Sequence, residues 1–364
     1  MHGASQTGIP GRKEVIRRWK EKGGLVAGVF PIHYPRALFE AFGVLPVEVW
    51  GPPSADPGPG SSHVQPYVCS LVRNSLSFVH SGDFSLVDLV CAPHGCDSLQ
   101  GLGSLLTDFI RPEVPVIPLY LPRGERREAL SFLAAELQST AKRLEEITGK
   151  NPSAEEMERA IEADERAREL AGELLQRRRE LPLSTEEFYR VLRSREYLPA
   201  EEFSKLALAA LSKKGAHPEG IPIVLSGIVP EPRELLDELD GMGALVVADD
   251  TAACGRRLYP AGNSSDPFVR MAESILSGPP DPARGASISE RADHLLALAR
   301  SSGARGILFY ETKFCEPELF YLPLLRETLT EKGLPSTVVE VDVGEPLSGR
   351  VTGRISAFLE MLQQ

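Results

Sequence analysis

Five cysteines are spread through the 364 residues. Three interrupt apolar stretches with short polar strings: Val68-Cys69-Ser70-Leu71-Val72-Arg73, His94-Gly95-Cys96-Asp97-Ser98 and Lys313-Phe314-Cys315-Glu316-Pro317. Thiols this far apart act on one centre only if folding gathers them. Structural zinc sites use tight Cys-x2-4-Cys pairs, and the nearest two cysteines here, Cys91 and Cys96, make a poor pair because Cys91 ends an apolar strand pattern. An iron-sulfur cubane suits dispersed thiols better. It normally takes four cysteines, so three would leave one iron without a protein thiolate, a place for substrate.

Two of the settings support the thiolate form. Cys96 precedes Asp97 and Ser98, good capping residues, and so lies at the positive end of a helix dipole. Cys315 follows the strand pattern Gly306 to Tyr310 and precedes Glu316-Pro317, with proline at a favoured first-turn position. Cys69 belongs to a stretch read as helix from Tyr67 to Val79, which puts it on one face with Arg73. The plainer alternative for each thiol is a small buried hydrophobe. Cys91 is read as structural, and so is Cys254 in Ala253-Cys254-Gly255-Arg256-Arg257, although Cys254 stands near the same strand edge.

The elements that must position these residues alternate between strand and helix. From Lys13 to Pro122 the pattern gives strands at Leu25 to Phe30, Val47 to Trp50, Leu86 to Cys91 and Val114 to Leu119, with helices between them and a Pro/Gly/Ser-rich loop at Gly51 to Ser62. Gly124 to Leu211 is uniformly helical in spacing, broken at Asn151-Pro152 and Leu181-Pro182. Its run Arg177-Arg178-Arg179 is read as a solvated face. Alternation resumes from Ile221. The expected class is α/β: two doubly wound, mainly parallel-sheet domains with a helical middle segment, divided at 1–123, 124–215 and 216–364. Such halves leave a ligand cleft at the carboxyl ends of their strands.

Composition bounds the function. Hydrophobic residues make up 42% and charged residues 25%, as in soluble globular chains. The net charge of -11, without a dense Lys/Arg stripe, argues against a nucleic-acid surface. No run of about 18 apolar residues is present, and Met1 to Lys13 has no apolar core behind its charges, so no membrane span or signal peptide is expected. An odd cysteine count fits a reducing cytoplasm, with thiols used for metal or catalysis.

In this order the three cysteine strings resemble the 2-hydroxyacyl-CoA dehydratase and benzoyl-CoA reductase family. Supporting segments are Tyr34-Pro35 with Ala41-Phe42-Gly43 and Pro46, Leu144 to Lys150, Ser226-Gly227, Gly243 to Asp250, and Glu340-Val341-Asp342 with Arg354-Ile355 and Ala357-Phe358. The resemblance covers roughly residues 25 to 362. It implies that Cys69, Cys96 and Cys315 hold a 4Fe-4S cluster, with no comparable role for Cys91 or Cys254. It also implies radical reductive chemistry on an acyl-CoA thioester, as a dehydratase or an aromatic reductase, in partnership with a related second subunit or a second copy and a separate ATP-dependent iron-sulfur activator. The sequence has no phosphate-binding Gly-x4-Gly-Lys-Ser/Thr loop of its own. Ile32-His33-Tyr34-Pro35 departs from the serine that dehydratase subunits often carry before the early proline, and five cysteines fall short of the six or so a double-cubane branch needs.

Around the implied cluster, His33 is a candidate proton donor or an ordinary loop histidine. His94 and Arg73 are candidate supporting residues, with His94 able to donate to a cluster sulfur or merely to shape a turn. Two readings compete with a catalytic role: a noncatalytic or electron-relay partner subunit, and a two-domain ligand-binding protein.

Overall fold

The structure is a computed structural model that describes residues 8–50, 57–124 and 127–364. Most of the N-terminal stretch read above for targeting, and residues 51–56 of the expected loop, lie outside the described residues.

Among the described residues, eight short strands form two four-stranded sheets. β1 (Leu25–Val29), β2 (Val44–Glu48), β3 (Leu89–His94) and β4 (Val116–Tyr120) are ordered β2-β1-β3-β4. β5 (Ile221–Gly227), β6 (Ala244–Thr251), β7 (Gly306–Thr312) and β8 (Ser336–Val341) are ordered β6-β5-β7-β8. All pairings are parallel. The second sheet therefore repeats the strand order of the first, and helices cover both, which is the α/β two-sheet architecture read from the alternation. Runs such as Val44–Glu48 and Ala244–Thr251 are buried along their whole length, as parallel strands with both faces covered must be. In each half the strand order reverses beside the first strand. The crevice beyond the carboxyl ends of β1 and β3, and of β5 and β7, is thus a natural ligand position.

The middle of the chain folds as four helices, Ala129–Thr148, Ala154–Gln176, Thr185–Arg193 and Ala200–Leu211. Capping boxes start two of them, with Ser153 paired to Glu156 and Ser184 to Glu187. One hydrophobic core runs continuously from Val26 and Val90 of the first sheet through Leu170 and Phe203 of this layer to Ile223 and Leu308 of the second. The helix Pro267–Leu276 crosses back, so that Met271 and Ile275 pack with Leu133 and Leu137 against the first sheet.

The structure corrects several local readings. Arg178 is not on a solvated face: the chain leaves the helix at Gln176 and turns, which carries its guanidinium over the Phe188 ring at 4.8 Å and onto the Leu183 carbonyl at 3.0 Å. Part of the expected loop is a short helix, Pro57–Ser61. The helix expected from Tyr67 begins at Ser70, and β3 runs on to His94 rather than stopping at Cys91. The last two differences reshape the candidate site.

Candidate functional site

Three helices begin at a cysteine. Cys69 is the N-cap of Ser70–Val79, Cys96 that of Asp97–Ser104 and Cys315 that of Glu316–Leu319. None closes a side-chain capping bond, yet first-turn N–H groups face two of the three sulfurs. Those of Leu71 and Val72 face Cys69, and those of Ser98 and Leu99 face Cys96, favouring negative charge on sulfur. Cys96 follows β3 and Cys315 follows β7, the equivalent strands of the two sheets.

The three thiols are close enough to act on one another. Burial pushes Cys96 up to about 12, with Cys69 as the next contributor. Burial also pushes Cys315 well above the ordinary thiol range, helped by Cys69, Glu318, Glu311 and Cys96. Cys69 is raised by burial, against which its N–H groups and Arg73 pull it down. Three thiolates in this setting are mutually stable only around a cationic centre. Among the described residues no group of three or more His, Cys, Asp or Glu side chains is gathered tightly enough to chelate a single ion. The described thiols therefore do not form a compact single-ion zinc site.

The remaining cysteines lie elsewhere. Cys91 is fully buried in β3 within the core under the helix Ala129–Thr148. Cys254 is buried, and burial first and then Asp249 push its thiol well above the ordinary range.

A carboxylate holds the arrangement together. Asp342, just past β8, accepts from Arg73 Nη2 at 2.9 Å and from Lys313 Nζ at 2.7 Å. Beside it Asn74 donates to the Val343 carbonyl at 2.6 Å, and the Val343 N–H donates to Ser70 Oγ at 2.9 Å. The helix that starts at Cys69 is thereby stitched to the end of the second sheet, and Lys313 ties in the turn that carries Cys315. In that turn Phe314 adopts φ 61°, a left-handed conformation costing a side-chain-bearing residue about 1 kcal/mol. Arg73 thus acts near the thiols through Asp342.

His94 ends β3 opposite Tyr120, their ring centroids 4.5 Å apart. Its ring lies against Gly103, where an added Cβ would come within 2.4 Å of Nε2. Both ring nitrogens are buried without a partner, and burial lowers its pKa, keeping it neutral. His33 is fully buried and committed to its own neighbours. Its Nδ1 meets the Tyr259 hydroxyl at 2.7 Å, and its Nε2 stands 3.5 Å from Asp281 Oδ2, an ionic contact too long for a good hydrogen bond. Burial pulls His33 below the ordinary imidazole range while Asp281 raises it.

Sequence reasoning missed the buried charges behind Cys315. Arg256, fully buried, is clasped by Glu318 and stands 3.5 Å from Asp250 and 3.8 Å from Asp281. Arg291 also donates to Asp250, at 2.8 Å. Among these groups Glu311 is fully buried and neither of its oxygens has a hydrogen-bond partner. Burial, followed by Glu318, raises its pKa well above the carboxylate range, so it carries its proton. Asp249-Asp250 at the end of an apolar run and Glu311 at the end of another were the available signals.

The sequence is similar to known proteins over nearly its whole length. Residues 31–362 match the family described as 2-hydroxyglutaryl-CoA dehydratase, D-component. The (R)-phenyllactyl-CoA dehydratase beta subunit of Clostridium sporogenes is 25% identical over 96% of this chain and 95% of its own length. The lactoyl-CoA dehydratase subunit beta of Anaerotignum propionicum is 26% identical over 94% of this chain and 93% of its own. A benzoyl-CoA reductase subunit of Thauera aromatica is 23% identical over 88% of this chain and 86% of its own. The chain belongs to the 2-hydroxyglutaryl-CoA dehydratase D-component family and is an enzyme component of the dehydratase or reductase kind.

Proposed function

We propose that Cys69, Cys96 and Cys315 hold a 4Fe-4S cluster, and that the chain is the cluster-binding subunit of an enzyme that dehydrates a 2-hydroxyacyl-CoA or reduces an aromatic acyl-CoA. The observation that carries this reading is the shared setting of the three thiols. They come from both halves of the molecule, they are largely buried, and each starts a helix. When bound, the cluster supplies a low-potential electron and an iron open to substrate. The chain's own residues then have separate tasks. Arg73, Asp342 and Lys313 fix the spacing of the thiol-bearing turns, the N–H groups of two helix starts stabilise sulfur charge, and burial keeps water away. His94, with ring nitrogens out of water and unpartnered, supports a donor role toward a cluster sulfur. His33 is held by Tyr259 and Asp281, so a proton role for it would run through that pair.

The relatives are named as single subunits of larger enzymes, which supports a related partner chain, and the absent phosphate-binding loop supports a separate ATP-hydrolysing iron-sulfur activator. A cytoplasm that keeps thiols reduced is the fitting location; among the described residues no helix is long and apolar enough to cross a membrane. The test is anaerobic turnover of 2-hydroxyacyl-CoA and aromatic acyl-CoA substrates by the chain alone, with its partner, and with partner, activator and ATP. Turnover is expected only with all components, and full turnover by the chain alone with ATP would overturn the assembly.

A further inference from the structure

Along the open edge of the second sheet, beside the turn that carries Cys315, runs a groove of about 570 Å³. Val338 and Val339 of β8 line it together with Val351 of the helix Gly349–Gln363. Four cations, Lys313, Arg326, Arg350 and Arg354, converge on it against one carboxylate, Glu340. On a chain of net charge -11 this is a local reversal of sign. Charges on an edge strand can serve only to discourage strand pairing, but these cations come from the elements flanking the strand rather than from the strand. Two have work already: Lys313 holds Asp342 and Arg326 donates to the Ser336 carbonyl at 3.2 Å. Arg350 and Arg354, one helical turn apart, make no hydrogen bond or ion pair among the described residues. Neighbouring like charges repel, and an anion shared between them would relieve this.

We infer that this groove binds the phosphorylated nucleotide of a CoA thioester, with Arg350 and Arg354 on its phosphates and the valines beneath the adenine. The inference rests on the acyl-CoA reading above and assigns it a place. Apolar floor, cationic rim and volume suit a nucleotide, and Lys313 leads from the groove to Cys315, so the pantetheine arm would run toward the thiols.

The test is calorimetric titration of the full chain with acetyl-CoA, acetyl-dephospho-CoA and inorganic pyrophosphate, on wild type and on the Arg350→Glu, Arg354→Glu double variant. Iron and sulfide content and circular dichroism are measured on the same samples. Acetyl-CoA should bind at one site, acetyl-dephospho-CoA about tenfold more weakly, and the double variant should lose about ten- to a hundredfold in acetyl-CoA affinity with its fold and iron content unchanged. No acetyl-CoA binding, equal binding by the double variant, or displacement by pyrophosphate as strong as by acetyl-CoA would each overturn the assignment. Iron content separates the two claims: iron present without CoA binding sinks the groove alone, and arginine-dependent CoA binding without iron sinks the cluster alone.

Discussion

Arg73 donates to Asp342 at 2.9 Å, joining the helix that starts at Cys69 to the far end of the second sheet. Because Lys313 takes the other carboxylate oxygen, one side chain fixes two of the three thiol-bearing segments. Asp342→Ala should therefore cost about 2 kcal/mol of stability and weaken iron retention. In a double-mutant cycle with Arg73→Ala, a coupling of about 1 kcal/mol is expected by denaturant unfolding. Strict additivity would show that the contact holds nothing.

The cysteines should divide into two groups. Cys315→Ser and Cys96→Ala are expected to lose iron and activity together, whereas Cys91→Ala costs packing of about 1 kcal/mol and keeps its iron. Iron analysis beside thermal unfolding checks both halves, and equal iron loss in the Cys91 variant would mean that the wrong thiol of that strand and turn was chosen.

Arg256→Met tests the buried charges behind Cys315. Removing the cation leaves Glu318 and Asp281 facing each other in a water-free interior, which should cost about 3–5 kcal/mol. A chain as stable as wild type would show that these carboxyls are already neutral.

Glu311 gives a pH dependence of definite sign. Its folded pKa lies above the ordinary 4.5, chiefly from burial and then from Glu318. Above pH 4.5 the unfolded chain gives up this proton while the folded chain keeps it. Stability therefore falls as pH rises through the window between the two values, by about 1.4 kcal/mol per pH unit. Glu311→Gln should flatten that slope above pH 4.5 in denaturant unfolding of the metal-free chain. Parallel slopes for wild type and variant would contradict a protonated Glu311.

Much of this was readable in the chain, because parallel strands buried on both faces must be nearly continuous apolar runs, and Leu25–Val29 or Gly306–Thr312 announce themselves. The settings of Cys96 and Cys315 were equally local, each a thiol between a strand and a helix start. The common N-cap role of Cys69 was not readable, since Tyr67 to Val79 carries helical spacing throughout and nothing in it marks Ser70 as the first turn. The partners of Arg73, His33 and Arg178 were also out of reach. Asp342 and Tyr259 are remote in sequence from Arg73 and His33, Phe188 meets Arg178 only because the chain turns after Gln176, and hydropathy carries no record of which charge faces which.

The most direct measurement is the iron and acid-labile sulfide content of the chain purified without oxygen, for wild type and for Cys315→Ser. The expected result is about four irons and four sulfides per wild-type chain and a loss of most of both in the variant. Wild-type protein that holds neither after anaerobic reconstitution, or a variant that keeps both, would contradict the account.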